Sequence, residues 1–186
     1  YLHLGGARTA IYNWLYARQH NGKFLLRIED TDKERSDPAL VEQIKDSLKW
    51  LKIDWDEEIV FQSRREHLYS EVVDKLLEEG KAYRCFCTAE EIEAERKKYD
   101  KKKGSYKYSG KCRHLSQEEI DKNLKAGKDF SVRLKIERPG TTQYEDMIYG
   151  NIEVNNKDID DFIIQRSDGT PTYQLAVVVD DADMRI

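Results

Sequence analysis

Between residues 7 and 20 the apolar positions Ala10, Ile11, Trp14, Leu15 and Ala17 recur at helical spacing, and Asn21-Gly22 closes the run. The stretch "KFLLRIED" (23–30) clusters apolar residues as a short buried strand does and runs directly into Glu29, Asp30 and Asp32. Asp37-Pro38 places a capping side chain and a proline at a helix start, and Val41, Ile44, Leu48 and Leu51 supply that helix with an inner face. A further helix is expected over 64–79, with Ser63 as its cap and Gly80 as its stop. Strands alternating with helices in this way predict a parallel α/β layer.

The texture changes near residue 80. Two short helices carry capping boxes, Thr88 with Glu91 and Ser116 with Glu119, and a lysine-rich loop separates them. From Phe130 the period becomes two (Phe130, Val132, Leu134, Ile136), and short strands are expected around 152–154 and 162–165. "TPTYQLAVVVDDADM" (170–184) reads as a return to a buried parallel strand with acids at its carboxyl end. The predicted organisation is therefore α/β. Residues 1–75 form the first half of a nucleotide-binding core, 76–170 an inserted α+β module, and 171–186 the start of the second half.

Composition narrows the function classes. With 39% hydrophobic and 37% charged residues among 186, a core is possible but the surface is heavily charged. No apolar run approaches the roughly 20 residues of a membrane span, so no membrane partner is expected. A net charge of −4 argues against a general nucleic-acid binder. Three cysteines make no disulfide framework and point to a reducing compartment.

Four constellations carry candidate chemistry. In "HLGG", His3 stands before Gly5 and Gly6 at a helix entry, where backbone N–H groups and an imidazole can face a phosphate. In "RIEDTD", carboxylates follow a strand, the place where ligands of open sheets bind. There Glu29 can hold an ammonium group and Arg35 a carboxylate or phosphate. Cys85-x-Cys87, then twenty-four residues, then Cys112-x-His114 offer three sulfurs and one imidazole, a closed tetrahedral zinc set. Between these pairs, residues 96–113 hold nine Lys or Arg, including Lys101, Lys102, Lys103, Lys107 and Lys111. Tyr99, Tyr106 and Tyr108 are interleaved with them, a footprint for phosphate contacts and base stacking.

Together, "YLHLGGARTA", "LLRIEDTD", "AYRCFC", "RPGTT" and "RSDGTPTYQLAVVVDD" resemble glutamyl-tRNA synthetases, a family of class I aminoacyl-tRNA synthetases, through essentially the whole chain. Related glutaminyl enzymes usually have histidine where this chain has Gly6, and Asp-Asp-Thr-Asn in place of residues 29–32. The resemblance implies a Rossmann-like parallel sheet with an inserted zinc-bearing module that handles the tRNA acceptor end. It also implies that a strand and loop of the ATP signature precede Tyr1 and that a lysine-rich catalytic loop follows Ile186. This piece alone is then expected to bind zinc but to be impaired in catalysis.

Carried onto positions, the resemblance gives His3 with the Gly5 and Gly6 backbone to ATP, and gives Glu29, Tyr173 and Arg35 to L-glutamate. It gives Cys85, Cys87, Cys112 and His114 to zinc. The implied reaction joins glutamate to the 3′ end of tRNA(Glu) through a glutamyl-adenylate, with Mg2+ arriving on ATP, in a cytoplasmic monomer. Position 177, asparagine in some members, is valine here. Two alternatives stand beside this reading: a paralogue of the glutamyl-queuosine tRNA(Asp) synthetase type, and a non-catalytic zinc-stabilised RNA-binding module.

Overall fold

The computed structural model describes residues 2–31, 37–99 and 106–186. Arg35, Lys101, Lys102 and Lys103, together with Asp32, lie outside the described residues. The chain divides into two compact units, Tyr1–Glu66 and His67–Ile186. Among the described residues no helix is long and apolar enough to cross a membrane.

The first unit runs α1 (Leu4–Gln19), β1 (Arg27–Ile28), α2 (Pro38–Trp50) and β2 (Val60–Phe61). The two strands pair in parallel, Arg27 with Val60 and Ile28 with Phe61, and α2 makes the crossover. Asp37 accepts the Ala39 N–H at 2.9 Å, so capping side chain and proline start α2 as their order predicts. Phe24, Leu48 and Ile53 are the buried centre, with Ala10, Trp14 and Ala17 of α1 and Ile44 of α2 packed on it. Ile11 and Leu15, expected on the same stripe, are exposed at 39% and 50%, so the inward face of α1 is narrower than the sequence suggests.

The second unit is built on an antiparallel sheet in the order β3–β4–β7, from β3 (Ala82–Cys85), β4 (Ser131–Leu134) and β7 (Ile163–Gln165). Side chains alternate across it, and both faces are buried. Ala82, Val132 and Ile164 meet Tyr69 and Val73 of α3 (Glu66–Glu78) and Leu175 and Ala176 of α6 (Tyr173–Met184). The other face carries Tyr83 and Cys85, which pack with Tyr108 and Cys112. Helices α4 (Ala89–Lys98) and α5 (Gln117–Lys125) both begin with the complete capping boxes read from sequence. A separate hairpin, β5 (Thr141–Asp146) with β6 (Gly150–Asn155), follows the cis Arg138–Pro139 bond.

Two sequence expectations are corrected. Residues 173–184 form helix α6, not a parallel strand: Leu175, Ala176, Val179 and Asp180 share its inner face while Val178 is 66% exposed. The β-branched run favours a strand locally, and packing against α3 and the sheet overrides it. Ser63 does not cap α3; its N–H and hydroxyl both donate to Asp30, at 2.8 and 2.6 Å. In the core of the second unit Tyr69, Ala82 and Leu175 lie in one cluster.

Candidate phosphate-binding turn and metal centre

His3 is the N-cap of α1, in extended backbone with φ −87° and ψ 168°. Its Nδ1 accepts the N–H groups of Gly5 at 3.1 Å and Gly6 at 3.3 Å, so the imidazole satisfies its own helix start. A side chain at either glycine would crowd a neighbouring side chain. A Cβ at Gly5 would stand 2.9 Å from His3 Cε1, and one at Gly6 would stand 3.0 Å from Leu2 Cδ1. With Nδ1 accepting, the proton of the neutral ring sits on Nε2, which is left as a donor on an exposed side chain. The Gly5 and Gly6 amides are turned to the ring, and the ring presents the donor.

The acidic run after β1 separates into two jobs. Asp30 ties the end of β1 to the turn after β2 through Ser63. Glu29 is exposed, with Arg27 Nη2 3.5 Å from its carboxylate. Tyr173, the first residue of α6, is 58% exposed. His3 and Glu29 belong to the first unit and Tyr173 to the second.

Three of the four expected metal ligands come together. The sulfurs of Cys85, Cys87 and Cys112 lie within 4.8 Å of one another, and Cys87 and Cys112 are 3.6 Å apart. Tetrahedral zinc–sulfur bonds of about 2.3 Å place sulfurs about 3.8 Å apart, so the cluster fits that ion. His114 is not in the set: in the turn that buries Cys112, it is exposed. The neighbouring Arg113 is drawn inward instead, onto Asp161 at 2.6 Å and the Ile136 carbonyl at 2.7 Å.

Tyr108 stands where the imidazole was expected. Its hydroxyl is 3.4 Å from Cys85 Sγ and 3.2 Å from Cys87 Sγ, and it accepts the Cys112 N–H at 3.0 Å. A ligand oxygen about 2.0 Å from zinc would lie about 3.5 Å from each sulfur. The residues able to hold a metal are therefore Cys85, Cys87, Cys112 and Tyr108. The hydrogen bond with Cys112 holds the Cys85 thiol down at about 4, and the same bond together with burial pushes Cys112 up. Burial pushes Cys87 and the Tyr108 hydroxyl up.

The tyrosines of the basic stretch are mostly structural. Tyr108 is 8% exposed, and Tyr106 donates to Glu95 at 2.8 Å, with burial pushing its hydroxyl up to about 12. Tyr99 meets Tyr106 edge to face at 5.9 Å. Arg96, Lys97 and Lys98 belong to the last turn of α4, where cations suit the helix dipole. Lys107 contacts the Lys157 carbonyl at 2.9 Å and Lys111 contacts Glu91 at 2.8 Å, both side chains remaining partly open to solvent. A cavity of about 1390 Å³ adjoins the cysteines, lined in part by Phe86, Phe130, Arg96, Lys128 and Arg166.

Sequence reasoning also passed over a buried hub. Asp161, 2% exposed, accepts from Tyr83 at 2.9 Å, Arg113 at 2.6 Å and the Ile136 N–H at 3.2 Å, and Arg138 lies 3.1 Å away. Only spatial proximity marks it; Asp160-Asp161 in sequence reads as a solvated turn.

A family model for class I tRNA synthetases (E and Q), catalytic domain, matches residues 1–186. The chain belongs to this family. Among relatives of this synthetase chain, the glutamate–tRNA ligase of Aquifex aeolicus is 56% identical over 186 residues, covering 100% of this chain and 39% of that protein. That of Coprothermobacter proteolyticus is 54% identical over 187 residues, covering 100% and 40%. A crystal structure of a glutamate tRNA ligase from Elizabethkingia meningosepticum in complex with its amino acid superposes with a TM-score of 0.89. It is 33% identical and covers 100% of this chain and 40% of that one. This synthetase chain thus spans about 40% of the length of the relatives it matches. Its class I catalytic-domain fold, with mixed α/β content, follows from both comparisons.

Proposed function

We propose that this chain is part of an enzyme that ligates L-glutamate to the 3′ end of tRNA(Glu). The α-carboxylate of glutamate attacks the α-phosphorus of ATP and expels pyrophosphate. The terminal adenosine hydroxyl of the tRNA then takes the glutamyl group and expels AMP. The observation that carries this reading is the His3-capped start of α1, within a chain matched from end to end by the E and Q catalytic domain.

The first step needs no protein nucleophile. It needs positioning and stabilisation of phosphoryl charge, and a helix start with a fixed imidazole donor offers both. Gly5 and Gly6 hold the His3 ring through Nδ1, and Nε2–H meets a phosphate oxygen of ATP, which arrives with Mg2+. Glu29 takes the α-ammonium of glutamate, Tyr173 lines the amino-acid pocket, and Arg35 serves the same substrate. Residues 76–170 act as an inserted acceptor-end module. The cysteine site fixes its fold, and Lys107 and Lys111, with Lys101, Lys102 and Lys103, contact tRNA phosphates.

A bound zinc ion would hold the start of α4 to the turn before α5 through Cys85, Cys87, Cys112 and Tyr108. Structural zinc contributes folding free energy of this kind directly. The enzyme is read as cytoplasmic, in keeping with its unpaired cysteines. Aminoacylation by the full-length protein tests the whole reading. Glutamylated tRNA(Glu) is expected, and tRNA binding without any ester product would replace the ligase reading with a binding module.

A further inference from the structure

The metal-site reading leaves one buried cation unexplained, and the inference drawn from it rests on that reading. Arg133 lies in the middle of β4 and is 6% exposed. It pairs across the ladder with Tyr83, so its side chain shares a face with Tyr83 and Cys85. Its guanidinium carbon sits 3.9 Å from the centroid of the Tyr108 ring. One terminal nitrogen donates to the Asp161 carbonyl at 2.7 Å, while Nε is buried without a hydrogen-bond partner.

A buried arginine with an unpartnered nitrogen is costly unless a negative charge stands nearby. The Asp161 carboxylate does not fill that role for Arg133: Arg113 and Arg138 pair with it, and Arg133 takes only the main-chain carbonyl. On the face it shares with Cys85, Arg133 instead meets the Tyr108 ring, which packs with Cys85 and Cys112.

We propose that Arg133 is a positioning residue of the metal centre: its fixed charge and its stacking on Tyr108 balance a cysteine–tyrosine ligand set that is more negative than the divalent ion it encloses. Three thiolates and a phenolate bring four negative charges to a buried place, and a divalent ion cancels two. The flat guanidinium over the ring offsets part of the excess and holds the ring with its hydroxyl toward Cys85 and Cys87. Lysine would keep the charge and lose the flat stacking surface.

The test measures zinc affinity by chelator competition and melting temperature with and without zinc, for the full-length protein and its Arg133→Met and Arg133→Lys variants. Arg133→Met is expected to weaken zinc binding about 10- to 100-fold, the usual range for groups behind the ligands. Its metal-free melting temperature should stay near that of the unaltered protein, and Arg133→Lys should recover a large part of the affinity. Unchanged affinity in Arg133→Met overturns the proposal. So does a loss that lysine does not relieve and that tracks a fall in metal-free stability, because Arg133 would then be a packing residue alone. Failure of the unaltered protein to bind zinc would instead overturn the metal reading beneath it.

Discussion

The hydroxyl of Tyr108 stands 3.2 Å from the Cys87 sulfur, at the corner of the cysteine cluster that the sequence assigns to His114. The two residues therefore make opposite predictions. One zinc per chain is expected by metal analysis; Cys85→Ser should abolish it, Tyr108→Phe should weaken it about tenfold or more, and His114→Ala should leave it intact. Loss of zinc in His114→Ala with retention in Tyr108→Phe would return the site to the sequence-based set.

Gly5 has no room for a side chain beside the His3 ring, since a Cβ there would lie 2.9 Å from Cε1. Gly5→Ala is expected to displace the imidazole and to lower glutamate activation about as much as His3→Ala does. The stability effects should differ in origin. His3→Ala removes a cap worth about 1 kcal/mol, visible as an earlier urea transition. A Gly5→Ala protein with full activity would show that the ring is not held as described.

Asp161 gathers Tyr83, Arg113 and Arg138 while nearly inaccessible to solvent. Asp161→Ala leaves Arg113 without its carboxylate partner beside the turn that carries Cys112. A loss of about 3 kcal/mol or more in denaturant unfolding is expected, the usual scale for breaking a buried charged pair from one side.

Arg18 joins α1 to the segment after α2 through Asp56 at 2.7 Å and Asp54 at 3.1 Å. The bond from Arg18 holds the Asp56 carboxyl below its ordinary value of 3.8. A depressed carboxylate stabilises the fold above its unfolded value and loses that contribution as pH falls through the folded one. Asp56→Asn should therefore melt earlier than the unaltered protein at pH 7. The two curves should converge as pH falls below about 3.8, the ordinary value. A gap that persists below that pH would assign the effect to packing.

Legibility in the sequence followed a physical divide. Local signals were faithful: the Asp37-Pro38 start, both capping boxes, the period-two run of β4 and the clustering of the cysteines all stand in the structure as their residues predict. What failed depends on distant contacts. Val177-Val178-Val179 favours a strand until packing against Tyr69 and Val73 makes the segment a helix. Tyr108 looks solvent-facing amid lysines, and its burial against Tyr83 and Cys85 is visible only once β3 is in place. Tyr108 did carry one usable signal: it precedes Cys112 by four residues, a distance a single turn can close. Arg133 carried none, because a strand that alternates polar Ser131 and Arg133 with apolar Val132 and Leu134 reads as half-exposed, and Val132 and Arg133 are both buried.

The role proposed for the His3-capped turn is in glutamate activation. Exchange of labelled pyrophosphate into ATP by the full-length protein, with tRNA present and with L-glutamate or L-glutamine, tests it most directly. Exchange is expected with glutamate and little with glutamine, with a fall of about 100-fold in His3→Ala, as when one donor to developing phosphoryl charge is lost. Exchange that prefers glutamine, or that His3→Ala leaves unchanged, would contradict it.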